Sequence, residues 1–172
     1  MHIPQSLQTI AEISIAFAGF SGLIVALRKK VGPLTEIEKY RLQILLTLAF
    51  GAMFLSFLPE VLEGLGVGEQ DVWVYAGSGL CVYSAAFLIW WIYASRRFAR
   101  AFPEIFHWSA FSRMAAGHVA VMLLQVSAIF SLVVGKGAAV FVIALVWYLI
   151  HAAQQFARML FVQPRIADSD TS

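Results

Sequence analysis

Five apolar runs, each long enough to cross a lipid bilayer, dominate this chain and leave little sequence between them. A helix rising 1.5 Å per residue needs about 20 apolar residues to cross about 30 Å of hydrocarbon. Residues 7–27, 42–62, 72–94, 114–134 and 138–161 all meet that length. Gly135, Lys136 and Gly137 alone separate the last two runs, which reads as a tight helical hairpin. Composition supports the same class, with 60% hydrophobic and only 13% charged residues, against about 25% charged in a soluble domain. So few charges cannot clothe the surface of a soluble domain, whereas in lipid the outward face is apolar too. An ordinary soluble enzyme, a disordered chain and a nucleic-acid module are thereby excluded. The expected fold is an all-α integral membrane protein: a bundle of five transmembrane helices in a single domain over residues 1–172, with a disordered tail at 165–172.

Charge placement gives an expected orientation. Arg28, Lys29, Lys30, Lys39 and Arg41 lie between the first and second spans. Arg96, Arg97, Arg100 and Arg113 lie between the third and fourth, and Arg158 and Arg165 lie at the end of the chain. These are eleven of the 12 basic residues, all on one side of the alternating spans, with Lys136 alone opposite. Glu60, Glu63, Glu69 and Asp71 occupy the opposite turn. By the positive-inside rule the N-terminus is expected outside and the C-terminus in the cytoplasm. Met1 to Ala11 contains no Lys or Arg, so the first run reads as a retained helix rather than a cleaved signal peptide. Cys81 is the only cysteine, which excludes an internal disulfide or a cysteine-based metal site.

Local signals refine the boundaries. Thr35-Glu36-Ile37-Glu38 has the pattern of a capping box and is expected to open the second helix before it enters lipid. Asp71 reads as the N-cap of the third helix, and Pro59 is expected to kink or end the second. Residues 95–112 interleave Arg96, Arg97 and Arg100 with Phe98, Phe102, Phe106, Trp108 and Phe111. This inner segment is expected to lie amphipathically in the headgroup plane, with Pro103 opening a short helix and the arginines and Trp108 meeting anionic lipid.

Function must come from polar residues inside the spans, because these are costly in hydrocarbon. Gln5, Gln8, Glu12, Gly19 and Ala26 recur on one stripe of the first helix, which is expected to face inward and to carry Glu12 as a hydrogen-bonded carboxyl or a cation site. His118 and Gln125 share a face of the fourth helix, and Trp147, His151, Gln154 and Arg158 share one of the fifth, giving a polar, aromatic seam. Trp73 and Tyr75 on one side, with Trp90, Trp91 and Tyr93 on the other, are expected to form the interfacial belts. No cofactor is expected, although two imidazoles on neighbouring helices leave a b-type haem at His118 and His151 as an alternative. No catalytic triad, paired intramembrane carboxylates, phosphate loop or His-Glu-x-x-His motif is present, which argues against an enzyme.

Two functional classes remain. One is an oligomeric pore or transport protein that conducts cations, with Glu12, Glu60, Glu63 and Gln125 as ion-site candidates and small-residue faces (Ser14, Ala18, Gly22; Gly77, Cys81, Ala85) joining the copies. The other is a non-enzymatic membrane scaffold or accessory subunit, or a haem electron carrier. The expected partners are the bilayer, its anionic inner headgroups and further copies of the chain; nucleic acid is not expected.

Overall fold

The computed structural model describes residues 3–28, 32–104, 106–130 and 136–161, with the side chains of a few terminal helix residues left aside. The expected tail, Lys29, Lys30, Arg165 and residues 131–135 lie outside these. Five helices follow one another: α1 (Ile3–Arg28), α2 (Glu36–Gly64), α3 (Glu69–Ala101), α4 (Trp108–Ile129) and α5 (Gly137–Phe161). Each is long and apolar enough to cross a membrane. Apart from Phe130, the C-cap of α4, the described parts of all five apolar runs fall inside these helices.

The helices run alternately up and down, so their termini gather at two ends. The basic end holds the C-termini of α1, α3 and α5 with the N-termini of α2 and α4; the acidic end holds the rest. α5 is the hub, packing against all four other helices, while α1 lies on α2 and α5 and α4 lies on α3 and α5. Its buried residues (Phe141, Ala144, Leu145, Tyr148, His151, Ala152, Gln155, Met159) recur every three or four positions, the spacing that keeps one helix face inward. Opposite them α2 buries Ile44, Leu45, Leu48, Ala49 and Ala52. The outward faces are apolar as well: Phe54 is 67% exposed, Val82 71% and Leu123 61%. A water-facing bundle would expose polar side chains there, so these faces fit a lipid environment.

The caps explain the boundaries. Thr35 is the N-cap of α2, and the capping box with Glu38 is complete in both directions, as its spacing requires. α2 closes with a Schellman motif: Gly66, at φ 84, lets its own N–H reach the Glu63 carbonyl and the Val67 N–H reach that of Leu62. Three boundary expectations are narrowed or corrected. Of the two outcomes expected for Pro59, ending α2 is excluded: the helix runs through it to Gly64, at the cost of one backbone donor. The N-cap of α3 is Gly68 rather than Asp71; Asp71 sits in the first turn, where its charge still suits the helix N-terminus. Pro103 opens no helix: α3 continues to Ala101, α4 begins at Trp108, and only a short connection separates them.

That third correction changes the reading of the inner segment. Its aromatic rings stack on the helix ends, with Tyr40 on Phe98 at 4.8 Å, Phe98 near Phe102 at 5.0 Å and Phe106 near Trp108 at 5.0 Å between centroids. Arg96, Arg97, Arg100 and Trp108 remain exposed at this end.

Candidate functional site

Burying a polar side chain in an apolar bundle is costly unless it finds a partner, so buried polar groups mark where this fold carries more than packing. The largest such group sits where α3, α4 and α5 meet. His118 of α4 and His151 of α5 are 2% and 0% exposed, and His118 Nε2 lies 2.9 Å from His151 Nδ1. One helical turn on, Gln155 places its Nε2 3.0 Å from His151 Nε2. His118 is ten residues into α4, about 15 Å along its axis and so near mid-span.

The rings are boxed by aromatic side chains. Phe87 centres 5.2 Å from His118, Trp91 5.0 Å from His151, and Tyr148 5.6 Å from His118. Tyr148 is tied to Ser84 of α3 by a hydroxyl–hydroxyl bond. The Trp147 indole lies directly on Gly117, where any Cβ would collide with it. The chain is incompletely satisfied: His118 Nδ1, Gln125 Nε2, Trp147 Nε1 and Gln154 Oε1 are buried without a hydrogen-bond partner. Most buried polar atoms in proteins are paired. All four orphans lie on α4 and α5.

Two cavities open at opposite ends. At the basic end, about 370 Å³ is enclosed by α2, α3, α4, α5 and the α3–α4 connection, with Gln155 and Trp91 on its wall. Gln155 thus links this space to the imidazole pair. At the acidic end, about 660 Å³ is lined by Gln5, Gln8, Ser56, Glu60, Glu63 and Trp73.

The ion-site candidates are partly brought together. Glu60 and Glu63 share the acidic-end cavity with Gln5 and Gln8, and Gln8 Nε2 donates to Glu12 Oε1 at 3.0 Å. Gln125 is elsewhere, buried beside Gly77 of α3. The expected inward setting of the α1 stripe is wrong. α1 buries Leu7, Ile10, Ala11, Ser14 and Ser21, while Gln5, Gln8, Glu12, Gly19 and Ala26 are exposed on the opposite side. α2 and α5 fill the space under α1 with apolar side chains, so the polar stripe is turned outward.

Of the seam residues, His118, Trp147 and His151 lie together, and Gln155 rather than Gln154 bonds His151. Spacing held that signal, since positions four apart on a helix face each other. Trp91 does not belong to an interfacial belt: it is 3% exposed and donates its indole N–H to the Tyr40 hydroxyl at 3.1 Å. Tyr40 also bonds Ser95 at 2.7 Å, tying α2 to α3. These long-range pairs had no sequence signature.

As placed, the histidines do not fit a haem between them. Nitrogens on opposite sides of one metal, each about 2.0–2.1 Å from it, stand about 4 Å apart with a macrocycle between the rings. Here they are in direct hydrogen-bond contact. Compared with known proteins, the chain matches no family model, no curated protein and no solved structure.

Proposed function

We propose that this chain is an integral membrane protein of the transport type, that the cation it handles is the proton, and that the Gln155–His151–His118 chain is its working part. The observation that carries this reading is the direct hydrogen bond between two buried imidazoles near mid-span, with one end of the chain on a cavity wall. With the Gln155 amide nitrogen toward it, His151 Nε2 accepts; His151 Nδ1 then donates to His118 Nε2, and the His118 proton sits on the unpartnered Nδ1. A proton arriving on His151 Nε2 as the amide turns away makes that ring cationic. The ring passes its Nδ1 proton to His118 Nε2, and His118 releases the proton from Nδ1. One proton enters and one leaves, both rings end neutral in the other tautomer, and the turned amide oxygen accepts from His151 Nε2. Imidazole suits this step because each ring can take and give a proton at different atoms.

The acidic-end cavity supplies the opposite mouth, where Glu60 and Glu63 favour cations. In the same reading, copies of the chain join along the outward stripe of α1, because Gln5, Gln8 and Glu12 are costly against lipid. The positive-inside rule puts the basic end in the cytoplasm. The test is proton movement into vesicles reconstituted with the protein, followed by an internal pH dye under an imposed potential. The unmodified protein should move protons, and His151→Phe and His118→Phe should abolish this while remaining folded. Absence of flux at either polarity across pH 5–8 ends the reading.

The outward stripe also supports a second reading, in which α1 docks on a different membrane protein and this chain is an accessory subunit. Purification from its native membrane would then yield a complex of unlike chains, and proton flux from the isolated protein would be absent.

A further inference from the structure

The basic-end cavity has a feature that proton transfer does not use. Two guanidiniums from different helices, Arg41 of α2 and Arg158 of α5, line it together. Arg41 Nη1 donates to the Arg158 carbonyl at 3.0 Å, which holds the two residues side by side. Among the described residues neither has a carboxylate in ion-pair contact; the described pair at this end is Lys39 with Glu36. Glu38, one turn before Arg41, accepts at Oε2 from the backbone N–H and hydroxyl of Thr35 in the capping box, and its charge also attracts Arg41, so one carboxylate stands near two guanidiniums. Two adjacent positive charges facing one enclosed space call for an anion there.

The rest of the wall says what kind of anion. Trp91, Phe98, Phe106, Phe111 and Met114 give the same cavity an apolar lining. A small hydrated anion gains nothing from such a lining, whereas a molecule with a charged head and an apolar body matches both halves. The volume, about 370 Å³, lies within the usual range for a ligand pocket. Its place at the ends of four membrane-length helices is the depth at which lipid headgroups lie.

We propose that this cavity is a binding site for an anionic phospholipid, its phosphate held between Arg41 and Arg158 and its glycerol and upper acyl segments against the aromatic wall. The inference is independent of proton transfer; it needs only the two arginines and the lining. It also differs from the diffuse attraction of exposed Arg96, Arg97 and Arg100 for a charged surface, because it predicts a single saturable site.

The test uses the full chain purified in a neutral detergent, with native mass spectrometry to count bound lipid. The probes are dioleoyl phosphatidylglycerol, dioleoyl phosphatidylcholine and inorganic phosphate. One phosphatidylglycerol should be retained per chain, with phosphatidylcholine bound at least tenfold more weakly. Losing a charge-assisted hydrogen bond corresponds to about tenfold or more in affinity, so Arg41→Gln and Arg158→Gln should each weaken retention by that factor. Arg100→Gln should not. Arg41→Lys keeps the charge without the planar fork and serves if a glutamine variant fails to fold; it should retain lipid with intermediate affinity. Equal retention of both lipids, or retention unchanged in every arginine variant, overturns the proposal. Displacement of phosphatidylglycerol by millimolar inorganic phosphate also overturns it, by assigning the site to a soluble anion.

Discussion

His118 Nε2 and His151 Nδ1 share a hydrogen bond of 2.9 Å with no side chain between them, although the residues stand 33 positions apart in the chain. The bond joins α4 to α5, and one ring must donate while the other accepts. Removing either histidine leaves a buried group unpaired, but the two removals are not equivalent. His151→Leu strands His118 and Gln155, while His118→Leu strands only His151. Each stranded group costs about 1–3 kcal/mol. His151→Leu is therefore expected to destabilise the protein more, by about one such increment, in reversible unfolding followed by tryptophan fluorescence in mixed micelles. Equal losses would show that Gln155 finds another partner.

Gly117 is the second place where a single atom matters. A methyl group there would occupy the space of the Trp147 ring. Gly117→Ala is expected to cost about 1–3 kcal/mol, the usual range for overpacking. Trp147→Leu in the same chain should recover most of that loss, and the same unfolding measurement on single and double variants checks it. A loss that persists in the double variant would place the fault in the backbone of α4 instead.

Gly19 tests the outward stripe of α1. A side chain there meets nothing within 4 Å inside the bundle. Gly19→Leu is therefore expected to leave the unfolding midpoint of the isolated chain unchanged or slightly raised, since glycine is a poor helix former. If copies meet along this stripe, the same change should lower the mass of the detergent-solubilised particle, measured by light scattering. A monomer before and after the substitution removes the oligomer from the reading.

The two ends of the bundle are expected to lie on opposite sides of the membrane. In a Cys81→Ala background, Glu69→Cys at the acidic end should react with an impermeant maleimide added outside intact cells, and Ser109→Cys at the basic end only after permeabilisation. Both positions are exposed. Reaction of both from outside would contradict a five-span arrangement.

What was legible in the sequence divides by the range of the forces involved. Spans and caps are local: apolar runs fix the helices, and Thr35 with Glu38 fixes the start of α2 within four residues. The seam was half legible, because His151 and its helical neighbours share a face whatever they pack against. The His151–Gln155 contact lies within α5 at a spacing of four; what no local pattern encodes is that α4 sets His118 against the same ring. The rotation of α1 was misjudged for a physical reason. Turning polar residues inward holds when the interior has polar partners to offer, and here α1 meets an apolar partner such as Phe156 of α5, which packs on Phe17. Trp91 was misplaced by the same kind of error, since an indole near a helix end suits a headgroup belt equally well until Tyr40, 51 positions away, accepts its N–H.

The hub of this bundle is its last helix, and that order has a bearing on biogenesis. Among the described residues α5 is the only helix that touches all the others, yet it leaves the ribosome after them. Until it arrives, His118 has no imidazole beside it, Ser84 lacks the Tyr148 hydroxyl, and α2 is covered by α1 and α3 alone. In a bilayer the first four helices would therefore wait as loosely associated rods, and the core would close only once α5 has cleared the ribosomal exit tunnel.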